Sequence, residues 1–323
     1  MEETAKQLVS NCKGILAADE SLGTIEKRFT LINIPNTKEN RKSYRELLFT
    51  TLGIEDYISG VILFKESLPL SSILLEKGIT PGVKVDEGKI DFPNHPGESI
   101  TKGLDGLKER LEEYIKYGVK FTKWRAVIAI GPGIPTPECI EANAIELCQF
   151  AQISQEAGLV PIVEPEVLMD GDHDIIKCED ITRVTLTTLF AHLKGYNVNL
   201  KALLLKPNMI LPGKGYTGEK VTPEVVAEVT LPAFARTVPS DVPGIVFLSG
   251  GQSPEEATIN LNAINQKKGN SPWELSFSYG RALQEPVLKT WMGKPENKEA
   301  AQEVFLERAK ANYLARQGKY GNA

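Results

Sequence analysis

The stretch KALLLKPNM at 201–209 sets four consecutive apolar residues, Ala202 to Leu205, ahead of Lys206, and Pro207 closes the run. A strand with one wet face alternates apolar and polar residues; this one does not, which is the pattern of a strand covered on both faces in a parallel sheet. Seven further short runs share that character: GILAADES (14–21), GVILFKES (60–67), GVKVDEG (82–88), KWRAVIAIG (123–131), VPIVEPEV (160–167), GIVFLSGG (244–251) and WELSFSYG (273–280). Longer segments of helical period separate them. Eight strand-like runs alternating with helices put the chain in the α/β class. Closure into a (β/α)8 TIM barrel is the natural solution, with an open doubly wound sheet as runner-up. The whole of 1–323 reads as one barrel domain with a C-terminal helix and a short tail, a usual length for this architecture.

The intervening helices announce their starts. Ser253-Pro254-Glu255-Glu256 offers a capping serine, a proline at the first helical position and a carboxylate three residues after the cap. Thr136-Pro137 and Thr222-Pro223 open two more helices in the same way. LDGLKERLEEYIKYG (104–118) has amphipathic spacing and ends at a glycine.

Composition limits the partners. An apolar fraction of 41% and a charged fraction of 24% describe a soluble globular chain with ample core. A net charge of -5, without a run of Lys or Arg, argues against nucleic-acid and membrane surfaces, so any bound anion must meet a local cationic cluster. Cys12, Cys139, Cys148 and Cys178 form no Cys-x-x-Cys pair, and His95, His173 and His192 are scattered; neither a zinc site nor a disulfide framework is expected. The N-terminus has no apolar stretch of signal-peptide or membrane-span length, so the cytoplasm is the expected compartment.

In a parallel barrel, chemistry collects at the C-terminal ends of strands. Asp19 follows the first run, Lys84 lies in the third, Glu164 and Glu166 end the fifth, Lys206 ends the sixth, Ser249-Gly250-Gly251 ends the seventh, and Gly280-Arg281 follows the eighth. Each has a bland reading. Asp19 or Ser21 would equally serve as the cap of a helix beginning near Gly23. Lys84 alone is better read as a polar-face lysine, and Lys123 and Arg125 sit too early in their run to fit the strand-end rule. Glu164 and Glu166, two apart, share a face if the strand stays extended through Pro165, and two such carboxylates need a cation opposite them. A glycine-rich turn after strand seven with Arg281 after strand eight is where barrels build phosphate sites. Lys206, between the carboxylates and this turn, reads as an interior lysine.

A lysine nucleophile must shed its proton. Burial after ALLL and a nearby cation such as Lys123 both disfavour the ammonium. The neutral amine condenses with a ketone, and the resulting iminium is an electron sink that permits scission of a neighbouring carbon–carbon bond. Positioned carboxylates supply the proton transfers. The residues thus point to a Schiff-base lyase acting on a phosphorylated ketose.

The ordered blocks GILAADES, KWR, VPIVEPE, LLLKPNM, FLSGGQS, NLNAIN and FSYGRALQ resemble the class I fructose-1,6-bisphosphate aldolase family from about Lys13 to Tyr320. The resemblance implies a metal-free, cofactor-independent (β/α)8 barrel, usually a homotetramer, that cleaves fructose 1,6-bisphosphate to dihydroxyacetone phosphate and glyceraldehyde 3-phosphate. It implies the Schiff base on Lys206, proton transfer at the released carbon's hydroxyl by Asp19, and acid/base work by Glu164 with Glu166 and Lys123 beside it. Ser249, Gly250, Gly251 and Arg281 would hold the phosphate next to the ketone; Ser21, Thr24 and Lys84 would reach the distal one, with Thr24 standing where serine is common. Arg28 and Arg125 match basic positions near the site. Many members continue past QGKY into a tail ending in tyrosine, whereas here Gly321, Asn322 and Ala323 follow Tyr320, so another group is expected to move the proton at the enamine carbon. The rivals are another Schiff-base sugar-phosphate aldolase, a metal-dependent aldolase, and a non-catalytic scaffold on the same fold.

Overall fold

The computed structural model describes residues 1–321. Its strands are β1 Gly14–Ala18, β2 Ile58–Leu63, β3 Thr80–Lys84, β4 Lys89–Asp91, β5 Ser99–Thr101, β6 Phe121–Ile128, β7 Val160–Val167, β8 Leu204–Leu205, β9 Gly244–Phe247 and β10 Glu274–Tyr279. Eight of them close into a barrel in the order β1-β10-β9-β8-β7-β6-β3-β2, every neighbour parallel. The expected eight runs are these eight strands. The small antiparallel hairpin β4–β5 is an addition, inserted after β3.

Helices cover the outside. Thr136, Thr222 and Ser253 each accept a first-turn N–H at the cap positions read from the sequence, and Ser253 with Glu256 completes a capping box. The strands are buried on both faces, and the two faces differ. Val163, Val167, Leu203, Leu205 and Trp124 point outward into the strand–helix core. Ile15, Ala17, Phe121, Val160, Ile162, Leu204 and Val246 point inward, where Leu8 and Val9 of the N-terminal helix Glu2–Val9 join them. This plug explains two glycines: a Cβ at Gly60 or Gly244 would lie 2.6 Å from the side chain of Leu8 or Val9 respectively.

Side chains alternate along a strand, so the inner face can be followed upward. Val160 and Ile162 are succeeded by Glu164 and Glu166, Phe121 by Lys123 and Arg125, Leu204 by Lys206, and Ala17 by Asp19. The lower interior is apolar and the upper interior is ionic. Strand β8 is short because Pro207 has no N–H to continue the ladder. Lys206 still donates its backbone N–H to Val163 at 2.8 Å, and the Pro207 carbonyl accepts from Leu248 N–H at 3.0 Å, so the lysine is fixed between β7 and β9.

Candidate active site

The C-terminal mouth of the barrel holds a cavity of about 790 Å3. That volume lies within the range of small-molecule sites. Its lining includes Asp19, Lys123, Glu164, Glu166 and Lys206, together with Ser21, Thr24, Arg28, Lys84, Arg125, Ser249, Gly250 and Arg281. Of the expected site residues, Gly251 is the one outside this lining. Its hydrogen faces Lys214, whose Cε would stand 2.4 Å from a Cβ there.

The position of Lys123 corrects the reading that it lies too early in its run. Height in a barrel follows register rather than order within a strand, because neighbouring strands are staggered. Lys123 is level with Lys84, the last residue of β3, and Arg125 is level with Glu164. Asp19 does not cap the helix Leu22–Thr30: Ser21 occupies that cap position, and its Oγ lies 3.1 Å from Thr24 Oγ1.

At the centre, Lys123 Nζ donates to Asp19 Oδ2 at 2.9 Å and stands 2.8 Å from Glu164 Oε2. The other oxygen of Glu164, Oε1, lies 3.4 Å from Lys206 Nζ. One carboxylate therefore touches two buried ammonium groups. Strand β7 runs extended through Pro165, which puts Glu166 on the same face, where it pairs with Arg125.

The electrostatic consequences differ from group to group. Burial pushes the Lys206 ammonium below the usual lysine range; Glu164 opposes that shift and Lys123 reinforces it. Burial acts the same way on Lys123, but Asp19 and Glu164 outweigh it and hold that ammonium above the usual range. Burial would raise Asp19 and Glu164, yet Lys123 and Lys206 keep both carboxyls below the usual range. A deprotonation-prone amine against an ionised carboxylate is the pairing that amine nucleophilic catalysis requires.

On the β9–β10 side, Gly250 adopts φ +53, the left-handed region that suits glycine, and Ser249 is buried beside it. Arg281, the first residue of the helix Arg281–Trp291, donates to the carbonyls of Gly250 and, at 3.2 Å, Gln252. Arg28 is paired with Glu20, which Arg45 and Gln284 also hold. Lys84 pairs with the Asp86 carboxylate and also donates to the Asp86 carbonyl at 2.6 Å.

The cavity also gathers residues that the sequence reading passed over: Lys27, Lys65, Lys89 and Ser278. Ser278 was detectable, since it is the inward position two before Gly280; its buried hydroxyl has no partner among the described residues. Lys27 lies on the helix Leu22–Thr30, Lys65 two residues past the end of β2 and Lys89 at the start of the hairpin strand β4, so none stands at the inward end of a barrel strand. Tyr320 lies outside the lining and donates its hydroxyl to Glu255 at 2.6 Å. The tail expectation rests partly on Asn322 and Ala323, which lie outside the described residues.

The model of the family "Glycolytic: Fructose-bisphosphate aldolase class-I" matches residues 1–323. The chain is 54% identical to the cytosolic fructose-bisphosphate aldolase 4 of Arabidopsis thaliana, over 95% of this chain and 80% of that protein. It is 51% identical to the probable class 1 fructose-bisphosphate aldolase of Xanthomonas campestris, over 99% of this chain and 98% of the relative. A solved structure of the aldolase from Plasmodium falciparum superposes with a TM-score of 0.97 at 50% identity, covering 100% of this chain and 95% of that one. Fold, mouth chemistry and whole-length likeness agree: the chain belongs to the class I fructose-bisphosphate aldolase family.

Proposed function

We propose that this aldolase cleaves fructose 1,6-bisphosphate through an imine on Lys206, the reading that best fits a lysine of lowered basicity sharing one buried carboxylate with a second lysine. Glu164 accepts the ammonium proton of Lys206, and the neutral Nζ adds to the C2 ketone as one of its remaining protons passes to the carbonyl oxygen. Glu164 then returns the first proton to the carbinolamine hydroxyl, which leaves as water to give the iminium. The iminium draws electrons from the C3–C4 bond as Asp19 accepts the proton of the C4 hydroxyl; glyceraldehyde 3-phosphate departs and an enamine remains. Protonation at C3 and hydrolysis, the reverse of imine formation, release dihydroxyacetone phosphate. Lys123 keeps Asp19 and Glu164 ionised at the start, and Glu166 fixes Arg125 at the same rim.

Ser249 and Gly250 with Arg281 form the ketone-side phosphate site, and Ser21, Thr24 and Lys84 contact the distal phosphate. Phosphate anchors at both ends hold the scissile bond over Lys206. The relatives' printed names place them in the cytosol, which we carry to this chain together with the family expectation of a homotetramer; fractionation and sedimentation velocity check these two points. Borohydride reduction in the presence of dihydroxyacetone phosphate, followed by peptide mapping, tests the chemistry. The adduct is expected on Lys206. An adduct elsewhere, or cleavage abolished by a chelator, refutes the mechanism.

A further inference from the structure

The distal phosphate needs positive charge, and the residues assigned to it supply little. Ser21 and Thr24 offer hydroxyls that already face each other. Lys84 is paired with Asp86, and Arg28 shares the Glu20 carboxylate with Arg45. The ketone-side site lies after β9 and β10. Four steps around the barrel from β9 stands β3, so the far wall of the mouth is built by the segments after β2 and β3.

Each of those segments puts one exposed lysine into the lining. Lys65 follows β2, and Lys89 opens β4 after β3. Neither has a carboxylate within ion-pair distance among the described residues. The nearby acids are otherwise engaged: Glu66 by Arg41 and Asp86 by Lys84. Glu87 is the unpaired acid in the same stretch of lining, so it subtracts from the charge of this wall without cancelling it. Lys27 lines the mouth as well, on the helix after β1 that also carries Thr24; it has no carboxylate within ion-pair distance among the described residues and is left in place in the test as a cation common to every variant.

We propose that Lys65 and Lys89 recognise the terminal phosphate remote from the ketone and so set the preference of this chain for ketose bisphosphates over ketose 1-phosphates. The proposal rests on the aldolase reading above. Both side chains are long, mobile cations at a wet rim, which suits capture of a dianion without a fixed fork geometry. Their opposition to the Gly250 and Arg281 side stretches an open-chain bisphosphate across Lys206, whereas a monophosphate engages one wall only.

The test compares kcat/KM for fructose 1,6-bisphosphate with that for fructose 1-phosphate. In Lys65→Gln/Lys89→Gln the ratio of the two is expected to fall about tenfold, as for the loss of two solvent-exposed charge contacts. Lys65→Arg/Lys89→Arg is expected to restore it, and Glu87→Gln to raise it a few-fold. The bisphosphate KM of the parent chain is expected to rise with ionic strength more steeply than that of the glutamine variant. An unchanged ratio in the glutamine variant, or an equal fall for both substrates, overturns the assignment while leaving the aldolase reading intact. Failure of the parent chain to cleave either sugar, with no trapped adduct on Lys206, refutes both.

Discussion

Lys206 and Lys123 occupy the same few ångströms of the barrel interior, both buried and both reached by Glu164, yet their ammonium groups shift in opposite directions. Lys123 has two carboxylates within 2.9 Å, and their attraction exceeds the desolvation penalty. Lys206 has one, at 3.4 Å, together with the repulsion of Lys123, and desolvation wins. Burial alone therefore does not make a lysine a nucleophile; the number and distance of its counter-charges do. In the proposed mechanism the four groups, Lys123, Lys206, Asp19 and Glu164, divide the labour, with Lys123 a fixed charge and Lys206 the reactive amine.

The comparison can be broken most severely at the amine. Lys206→Met is expected to lower kcat by roughly 10³-fold or more and abolish borohydride trapping, since no other group supplies the imine; steady-state assay and mass mapping read both. Glu164→Gln, which removes the carboxylate common to both lysines, is expected to lower kcat by about 10²-fold through lost proton transfer. It also removes an attraction that raises Lys206, so the acid limb of the kcat/KM profile should move to lower pH. Lys123→Met acts with the opposite sign: the repulsion on Lys206 disappears, the acid limb moves to higher pH, and activity drops about tenfold or more as Asp19 and Glu164 lose their partner.

The pairing also sharpens into a stability prediction. Asp19 and Glu164 have folded-state values below their unfolded ones, so their contribution is complete above the ordinary carboxylate range near pH 4 and is lost as pH falls through the folded values. Thermal unfolding of the parent chain should weaken below about pH 4, and less steeply in Asp19→Asn. Glu146 is the control, a partly buried carboxyl whose one partner among the described residues is the Thr101 N–H at 2.9 Å. Desolvation pushes it up to about 7. Its folded value exceeds its unfolded one, so stability declines as pH rises from about 4.5 to about 7. Glu146→Gln should raise Tm slightly at pH 7.5, worth at most ~1 kcal/mol after solvent screening, and match the parent near pH 4.

Much of the site was legible because a parallel barrel converts strand order into convergence. Glu164, Lys206 and the Ser249 turn stand at the ends of successive runs, and closure brings them together. Lys123 was misjudged from its place in its run, since stagger between β3, β6 and β7 is a property of pairing and leaves no mark within one strand. Asp19 was ambiguous between cap and site until the backbone after β1 directed it at Lys123. Lys65 and Lys89 were passed over, because Lys65 lies past the end of β2 in its run and Lys89 opens a hairpin strand outside the barrel, where the inward alternation of a barrel strand does not apply.

Eight apolar runs and their capped helices were enough to specify the barrel, because burying both faces of each strand admits few other solutions. They were also enough to put an amine at the end of ALLL. Which of two buried lysines gives up its proton was decided only by the folded chain. In a dry interior one further carboxylate at contact distance outweighs desolvation, and residues as far apart as Asp19, Lys123, Glu164 and Lys206 reach such distances only through closure of the barrel.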